Sequence, residues 1–341
     1  MILKDNHMNF LFDWGIFLLD ALTIVAAILL VVAGIAAIMT KNKGLEKGKL
    51  VIKKLNTQFK DIIESLNLEL LDKSELKQLR KQAKKAEKST KKTQHRSKPR
   101  LFILDFNGDI KASAVATLRQ CITAILLTAH KTDHVLLRLE SPGGVVPGYG
   151  LAASQLQRLR DAEITLTIAV DKVAASGGYM MACIAHKIIA APFAIIGSIG
   201  VVYQLPNFNR FLKKKAIDFE QVTAGEFKRT LTMFGENSKQ DRQKVQHDLD
   251  EMQVLFKQHV SSHRPHLNID QVATGEHWYG QQALELKLVD ELQTSDDFVL
   301  AARDKYDIFH LEYRIKEKFS KKLAHGISNL YTKLIHYNNH A

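Results

Sequence analysis

A serine followed by two glycines is the residue in this sequence that is best placed to act as a nucleophile. Ser176 lies in Asp171-Lys-Val-Ala-Ala-Ser-Gly-Gly-Tyr, between an apolar run at 164–170 that predicts a strand and a segment that predicts a helix. A sharp strand-to-helix turn exposes a serine oxygen and points the next backbone N–H into the same space. Ala174 departs from the G-x-S-x-G pattern of α/β-hydrolases. The residues alone also allow a serine that merely caps a helix.

A second glycine-rich turn lies where it could assist such a serine. Ser141-Pro-Gly-Gly follows the apolar run at 135–139, which predicts another strand. Gly143 and Gly144 allow the backbone to approach a ligand closely, and Pro142 restricts the turn before them. The carboxyl ends of neighbouring parallel strands meet at one sheet edge, where the active sites of α/β proteins collect. The two turns together predict a backbone oxyanion site, although an ordinary strand-end turn has the same sequence in isolation.

A nucleophilic serine needs a base, and none of the 14 histidines lies where it would indicate a triad. Lysine can serve instead when burial lowers its pKa toward neutrality. Lys228 is one candidate, because the Gly225 turn is predicted to precede a helix that places this lysine beside apolar Phe227. Lys172, four residues before Ser176, is the rival. The residues alone do not choose between the two lysines.

The other reactive residues give weaker evidence of a catalytic or metal site. His130 and His186 are predicted to lie on the surface or at helix ends. Ser74-Glu-Leu-Lys matches the S-x-x-K pattern of penicillin-binding enzymes, but its place at the edge of a polar linker makes this a chance match. Cys121 and Cys183 have apolar neighbours and are predicted to be buried free thiols. No Cys/His spacing predicts a metal site.

Strands and helices alternate across the middle of the chain and would position these turns. Strands are predicted at 101–106, 135–139, 164–170 and 188–191, and helices at 112–129, 149–161, 175–185 and 238–260. Such alternation implies parallel βαβ units in an α/β domain. The apolar stretch 188–205 is interpreted as strand-and-turn pieces, because Pro192, Gly197 and Gly200 interrupt it. A second membrane span is the alternative for that stretch.

The N-terminal region predicts one transmembrane anchor over residues 15–40. The run Ala21–Thr40 is uncharged, and about twenty helical residues span roughly 30 Å, the thickness of the hydrocarbon core of a bilayer. A cleavable signal peptide is disfavoured, because it would have a basic start and a shorter apolar run. Lysines follow the run and aspartates precede it, so the positive-inside rule favours a cytoplasmic C-terminal bulk.

Most of the net charge of +12 lies in a linker after the anchor. Residues 77–100 hold eleven Lys/Arg and one acidic residue, which is +10 in 24 residues. Without interleaved aromatic residues this tract indicates a solvated linker near a membrane and no specific nucleic-acid partner. Residues 45–71 are predicted to form one amphipathic helix before it. The predicted divisions are a flank at 1–14, the anchor at 15–40, a helical and lysine-rich linker at 41–98, an α/β domain at 99–305 and a basic amphipathic C-terminal helix region at 306–341.

Five motifs occur in an order and at a spacing that resemble the signal peptide peptidase A family. They are Ser141-Pro-Gly-Gly, Asp171-Lys-Val-Ala-Ala-Ser-Gly-Gly-Tyr, Gly197-Ser-Ile-Gly-Val, Thr223-Ala-Gly-Glu-Phe-Lys-Arg-Thr and Thr274-Gly-Glu-His-Trp-Tyr-Gly-Gln-Gln-Ala. With the predicted anchor and lysine-rich linker, the chain is similar to the shorter inner-membrane members of Gram-negative bacteria. The resemblance covers nearly the whole chain and is weakest in the linker and after residue 305.

The resemblance implies a ClpP/crotonase-type α/β core and a Ser-Lys dyad. It gives Ser176 as the nucleophile, Lys228 as the base 52 residues later, and Ser198 as the serine that hydrogen-bonds the lysine. The family completes each dyad between neighbouring repeats or protomers, so a chain with a single catalytic core is expected to form a homo-oligomer. The resemblance places the oxyanion donors on the backbone of Gly177 and of the Gly143-Gly144 pair, with Gly144 favoured within that pair.

The chain is therefore expected to be a membrane-anchored serine endopeptidase. Its substrates would be extended or apolar peptide segments, such as signal-peptide remnants or misfolded proteins, and it would use neither cofactor nor metal. Membrane lipid would be a partner through residues 15–40. The family implies a periplasmic domain at the inner membrane, whereas the lysine flank favours the cytoplasm. Two other classes are a crotonase-like acyl-thioester enzyme, whose fold shares the backbone oxyanion hole, and a membrane scaffold or chaperone that binds peptides without cutting them.

Overall fold

The computed structural model describes residues 18–19, 22–25, 27, 48–82 and 98–315. By its contacts the chain divides into a compact unit, Lys49–Arg314, and a second unit formed by residues 1–48 and 315–341. Of the second unit, the described residues between 18 and 27 are helical. Most of the predicted anchor and the whole region after 315 lie outside the described residues. Within the described ranges, no helix is both long enough and apolar enough to cross a membrane.

A seven-stranded sheet runs through the unit Lys49–Arg314. Its strands are β1 (Lys49–Lys54), β2 (Arg100–Asn107), β3 (His134–Glu140), β4 (Thr165–Val170), β6 (Lys187–Ala190), β9 (Glu291–Leu292) and β10 (Asp307–Arg314), in the order β1-β10-β2-β3-β4-β6-β9. All neighbouring strands are parallel except β1 and β10, which are antiparallel. This confirms the predicted α/β fold with a mostly parallel sheet.

A smaller sheet adjoins the carboxyl end of the large one. It consists of β5 (Val173–Ala175), β7 (Ile195–Gly197) and β8 (His277–Tyr279), in the order β5-β7-β8. The pair β5 and β7 is parallel, and β7 and β8 are antiparallel. The apolar stretch 188–205 thus forms β6, β7 and turns rather than a second membrane span, because its prolines and glycines end each strand after a few residues.

Helices pack against both faces of the large sheet. The helices of the unit Lys49–Arg314 are α1 (Leu55–Leu70), α2 (Val115–Leu126), α3 (Val146–Asp161), α4 (Gly177–Ala182), α5 (Asn209–Lys214), α6 (Lys239–His263), α7 (Ile269–Val272), α8 (Gly280–Glu285) and α9 (Ser295–Ala302), and residues 73–82 are also helical. Alternate residues of β2 belong to opposite cores: Phe102 packs in the core with α2, α3 and α4, and Ile103 packs in a smaller core with Val299 of α9. Fully burying a side chain of this size stabilises the fold by about 1.5–3 kcal/mol.

Two predicted helices begin as strands at one edge of the sheet. The predicted helix over 45–71 is wrong for Lys49–Lys54, which forms β1, and correct for Leu55–Leu70. The predicted C-terminal helix region at 306–341 is wrong for Asp307–Arg314, which forms β10. Each strand satisfies the other's backbone groups, with Leu50 opposite Tyr313. The folded unit therefore extends on both sides of the predicted 99–305 domain.

The region that carries Lys228 also differs from its prediction. No helix follows the Gly225 turn directly: residues 223–237 are turns and irregular chain, and the next helix begins at Lys239. Ser238 caps that helix, because its side chain accepts a hydrogen bond from Asp241 N at 3.1 Å while the Asp241 carboxylate accepts one from Ser238 N. This capping box fixes the start of α6 at Lys239, eleven residues beyond Lys228.

Candidate active site

The two glycine-rich turns predicted from the sequence lie side by side. Ser141 N donates to Val173 O at 2.8 Å, and Ala175 N donates to Ser141 O at 3.0 Å. Ser176 N then donates to Gly197 O at 2.7 Å. The end of β3 is thereby tied to β5, and β5 to β7. We call residues 141–144 and 173–177 the serine frame, because these backbone bonds fix the surroundings of Ser176.

Ser176 has a backbone conformation that is rare for a residue with a side chain. Its φ is 53° and its ψ is −117°, and α4 begins at the next residue, Gly177. Such a conformation costs on the order of 1–3 kcal/mol and persists only where the surrounding structure imposes it. The turn is the strand-to-helix arrangement predicted for a nucleophilic serine, and its side chain faces a groove.

Gly143 has to be a glycine for the two turns to meet. Its φ is +92°, which side-chain-bearing residues rarely adopt. A Cβ at this position would lie 2.8 Å from Ala175 O and 2.8 Å from Ser176 Cβ. The N–H of Gly143 donates to Ser141 Oγ at 3.1 Å, so that amide is engaged within the protein. Among the described residues, the N–H groups of Gly144 and Gly177 have no acceptor.

Buried hydrogen bonds hold the turn that contains Gly143 in place. Tyr149 OH donates to Asp109 O at 2.9 Å, so its single hydroxyl proton is committed. The 2.5 Å contact between Ser141 Oγ and Tyr149 OH must then be donated by Ser141, whose oxygen remains free to accept from Gly143 N. The Tyr149 ring also fills the space beside Gly177, where a Cβ would lie 2.4 Å from the ring. One tyrosine thus positions both glycine turns.

The serine frame opens into a groove of about 1300 Å³. Gly144, Ser176, Gly177 and Ser198 all line it, as does Gly143. The opposite wall comes from α6 and mixes apolar and polar side chains: Leu249, Met252 and Phe256 with Gln246, Asp250 and Gln253. This shape fits a peptide that lies between the glycine turns and α6, with its carbonyl groups toward the free N–H groups.

Ser198 lies close to the serine frame, at the end of β7. Its φ is 52°, and it follows Gly197, whose φ is +101°. Ser198 N donates to Glu276 O at 2.6 Å, which ties the residue to the chain just before β8. Two consecutive left-handed residues turn the Ser198 side chain toward the same groove as Ser176.

The structure does not bring Lys228 to Ser176 within one chain. Lys228 is exposed and is not among the residues that line the groove. It lies in residues 201–237, which we call the Lys228 segment. The rival base, Lys172, is also outside the groove: its side chain is 71 % exposed and pairs with Glu140 at 3.1 Å. No histidine of the described chain lines the groove either.

Sequence reasoning missed the contribution of α6 to the site. The polar helix had been predicted at 238–260, but no motif in it indicated that Met252 and Phe256 would face a groove. Gln253 is the most informative of these residues. Its Nε2 donates to Ile199 O and Ala273 O, while its buried Oε1 has no partner within the described part of the chain. Only the packing of α6 against α4 reveals this wall, since the residues involved are more than 70 positions from Ser176.

The fold and site have the character of a serine-type peptidase, and comparisons with known proteins agree. Residues 9–156 match the N-terminal part of peptidase family S49, and residues 158–308 match peptidase family S49 itself. A relative from Haemophilus influenzae named "Probable protease SohB" is 49 % identical over 339 residues, which covers 96 % of each chain. A relative of the same name from Buchnera aphidicola is 48 % identical and covers 86 % of this chain and 100 % of the relative.

The chain therefore belongs to peptidase family S49. Among solved structures, a membrane-bound stomatin-specific protease in complex with a substrate peptide matches 69 % of this chain and 100 % of its own, with 13 % identity and a TM-score of 0.42. The family confirms the resemblance found in the sequence and establishes a serine-type peptidase whose substrates are peptides.

Proposed function

We propose that the protein is an endopeptidase that works through Ser176, with Lys228 as its general base. The observation that carries this proposal is the Ser176 turn. A left-handed serine at the start of a helix lies on the floor of a groove, beside two backbone N–H groups that have no acceptor in the described chain. Strain of this kind is most often found where function requires a fixed side-chain direction.

The two free amides are suited to an oxyanion. Gly177 N follows the nucleophile directly, and Gly144 N comes from the neighbouring turn. Because the Gly143 amide already donates to Ser141 Oγ, we assign the second donor to Gly144 and give Gly143 the task of bringing the turns together. Donors fixed in this way stabilise the charge that develops on the carbonyl oxygen, and one such donor contributes about 2.7–4 kcal/mol to catalysis.

We propose that the base reaches Ser176 from a neighbouring chain, because Lys228 does not line the groove of its own chain. The Lys228 segment exposes many apolar side chains, including Val202, Phe211, Val222 and Phe227, and Val222 is 96 % exposed. An apolar surface of this kind indicates a contact with another protein surface. We propose that the segment packs on a second copy of this chain in a homo-oligomer and delivers Lys228 to that copy's groove, where Ser198 would hold it by a hydrogen bond.

The reaction then follows from these roles. Neutral Lys228 takes the hydroxyl proton of Ser176 as its Oγ attacks the peptide carbonyl, and the oxyanion is held by Gly144 N and Gly177 N. Lys228 returns that proton to the leaving amine, which departs and leaves an ester on Ser176. A water molecule, deprotonated by the same lysine, attacks the ester and restores the free serine while the acid product leaves.

The groove also indicates the class of substrate. Its α6 wall offers Leu249, Met252 and Phe256 to side chains of a bound peptide. We propose that the preferred substrates are extended segments with apolar side chains, such as signal-peptide remnants or misfolded proteins. We further propose that residues 15–40 anchor the chain in the inner membrane. Protease digestion of spheroplasts decides the side of the membrane: loss of the catalytic unit indicates the periplasm, and its protection indicates the cytoplasm.

The experiment that tests the proposal is labelling with a fluorophosphonate probe. We expect intact-mass and peptide mass spectrometry to show one adduct, on Ser176, and to show none in Ser176→Ala. Ser154→Ala, an exposed serine on α3, is the matched control and should label as the wild type does. A protein that cleaves peptides but carries its adduct elsewhere, or retains activity as Ser176→Ala, would refute the assignment. Thioester hydrolysis without labelling would favour the crotonase-like alternative, and peptide binding without cleavage the scaffold.

A further inference from the structure

Three metal-ligating side chains converge behind the helix that begins at the nucleophile. Cys183 follows the last residue of α4, and His259 and His263 lie one turn apart on α6. One potential ligand atom from each residue lies within 4.8 Å of the other two. The two imidazole rings are 4.7 Å apart, centre to centre. Cys183 is buried, and both histidines are partly buried.

We propose that Cys183, His259 and His263 form a binding site for a transition-metal cation with zinc-like ligand preferences. Thiolate and imidazole are the ligands that Zn²⁺ prefers, and two histidines at i and i+4 present their rings on one face of a helix. Tetrahedral bonds of about 2.0–2.3 Å to nitrogen and sulfur place ligand atoms roughly 3.3–3.6 Å apart. The ligand atoms, which lie within 4.8 Å of one another, would have to approach by roughly an ångström to reach that spacing.

The hydrogen bonds around the cluster already orient one ligand. His259 Nε2 lies 2.9 Å from Met180 O, so this nitrogen donates and leaves Nδ1 with a free lone pair. Histidines that bind metals commonly donate their other ring N–H to a carbonyl in this manner. His263 has oxygen neighbours at both nitrogens: His259 O lies 2.8 Å and Ser262 Oγ 3.1 Å from Nδ1, and Gln157 Oε1 lies 2.8 Å from Nε2. A cation bound by His263 must therefore replace the hydrogen bond at one of its two nitrogens.

Binding exchanges a proton for the metal. Burial raises the pKa of the Cys183 thiol to about 12, so the metal-free group is protonated near neutral pH. In that form Sγ donates to Met180 O at 3.3 Å. Formation of the metal–sulfur bond releases the thiol proton to solvent and removes this hydrogen bond.

The site is coupled to the groove through α4. Met180 lines the groove, and its carbonyl accepts from both Cys183 and His259. The same short helix begins with Gly177, whose N–H is one of the two proposed oxyanion donors. If the proposed function holds, a metal bound to Cys183 displaces this helix and misaligns the Gly177 N–H. We therefore expect zinc to inhibit the peptidase reversibly.

Cobalt binding tests the site without reference to activity. The probe is Co²⁺, added to the full-length Ser176→Ala protein in detergent so that self-cleavage cannot interfere. We expect one Co²⁺ per chain with a thiolate-to-cobalt absorption band in the near ultraviolet, and displacement by Zn²⁺. Cys183→Ser should abolish the band, and His259→Gln should weaken binding at least tenfold. Cys121→Ser and His247→Gln are matched controls, since Cys121 is the other buried thiol and His247 is an exposed histidine on α6.

The outcomes separate the site from its effect on catalysis. Absence of the band in a folded Cys121→Ser protein, which retains Cys183, overturns the site. A band that is lost in Cys121→Ser and kept in Cys183→Ser overturns it as well. In the wild type, Zn²⁺ should lower peptidase activity and a chelator should restore it, whereas Cys183→Ser should resist zinc. Equal inhibition of Cys183→Ser would overturn the coupling to α4. If the protein has no peptidase activity at all, the proposed function fails while the cobalt result still decides the site.

Discussion

The serine frame and the Lys228 segment are built in opposite ways. The serine frame is held by backbone hydrogen bonds of 2.7–3.0 Å, by close glycine contacts and by the buried Tyr149 hydroxyl. The Lys228 segment has little regular structure and exposes large apolar side chains. The fold of one chain thus completes the half of the proposed site that would bind the oxyanion and present the nucleophile. Under the proposed function, the other half of the site has to come from the surface of a second copy.

The largest expected effects come from removing either member of the proposed dyad. Ser176→Ala and Lys228→Ala should each lower kcat by roughly 10⁴-fold or more, because nucleophile and base act as a unit. Both variants should retain the wild-type melting temperature, since neither side chain is part of the buried core. Lys172→Ala is the matched control for the lysine and should stay within about threefold of the wild type. Activity that survives Lys228→Ala and disappears in Lys172→Ala would show that the base is Lys172.

Disrupting the close contact of Gly143 within the serine frame should have the next largest effect on kcat. Gly143→Ala adds a Cβ that meets Ala175 O at 2.8 Å and requires alanine at φ +92°, so the two turns must separate. We expect kcat to fall by about 10²- to 10³-fold, the usual effect of losing an oxyanion donor. Gly150→Ala on α3 is the control, because nothing lies within 4 Å of its added Cβ. Steady-state kinetics showing equal activity in both variants would contradict the role given to Gly143.

Substitution of Tyr149 should have a smaller effect on catalysis. Tyr149→Phe keeps the ring beside Gly177 but removes the hydroxyl that accepts from Ser141 and donates to Asp109 O. We expect kcat to fall about tenfold with KM nearly unchanged, together with a loss of about 1–3 kcal/mol of stability. Ser141→Ala should behave similarly, and the double variant should cost less than the sum of both. Additive losses of kcat would show that the two hydroxyls do not act through one network.

The smallest effect is expected outside both regions, at Asp105. Burial opposes ionisation of this carboxyl, but hydrogen bonds and charges from His310 and Arg138 outweigh it and lower its pKa to about 2. A carboxyl with a depressed pKa stabilises the fold above its ordinary pKa, and this contribution is lost as the pH falls toward the folded-state value. Asp105→Asn should therefore lower the melting temperature slightly at neutral pH and reduce its decline between about pH 4 and pH 2. Peptidase activity should not change.

The sequence was informative wherever function depends on local backbone geometry. The 164–179 stretch predicted a strand, a sharp turn and a helix from apolar residues and glycines, and the structure has that turn at Ser176. Ser141-Pro-Gly-Gly predicted a backbone site next to it, and the hydrogen bond between Ala175 N and Ser141 O joins the two turns. The conformation of such turns is determined by neighbouring residues, so one sequence is enough to predict it.

The errors arose where a segment's structure depends on distant partners. Lys49–Lys54 has apolar spacing that suits a helix, but its backbone pairs with β10 more than 250 residues later. Residues 223–237 resemble the start of a helix by composition, yet the capping box at Ser238 places the helix further on. The cluster of Cys183 with His259 and His263 escaped notice because Cys183 is 76 positions from His259. The i, i+4 spacing of the two histidines was its one local sign.

The most direct test of the account combines the two inactive variants. Ser176→Ala and Lys228→Ala chains, with different affinity tags, are co-expressed and purified through both tags in turn, and peptidase activity is measured on the mixed assemblies. If each Lys228 serves the Ser176 of a neighbouring copy, the mixture contains intact dyads and should recover a substantial fraction of wild-type kcat. Assemblies that carry both tags and remain as inactive as either variant alone would contradict a dyad shared between chains.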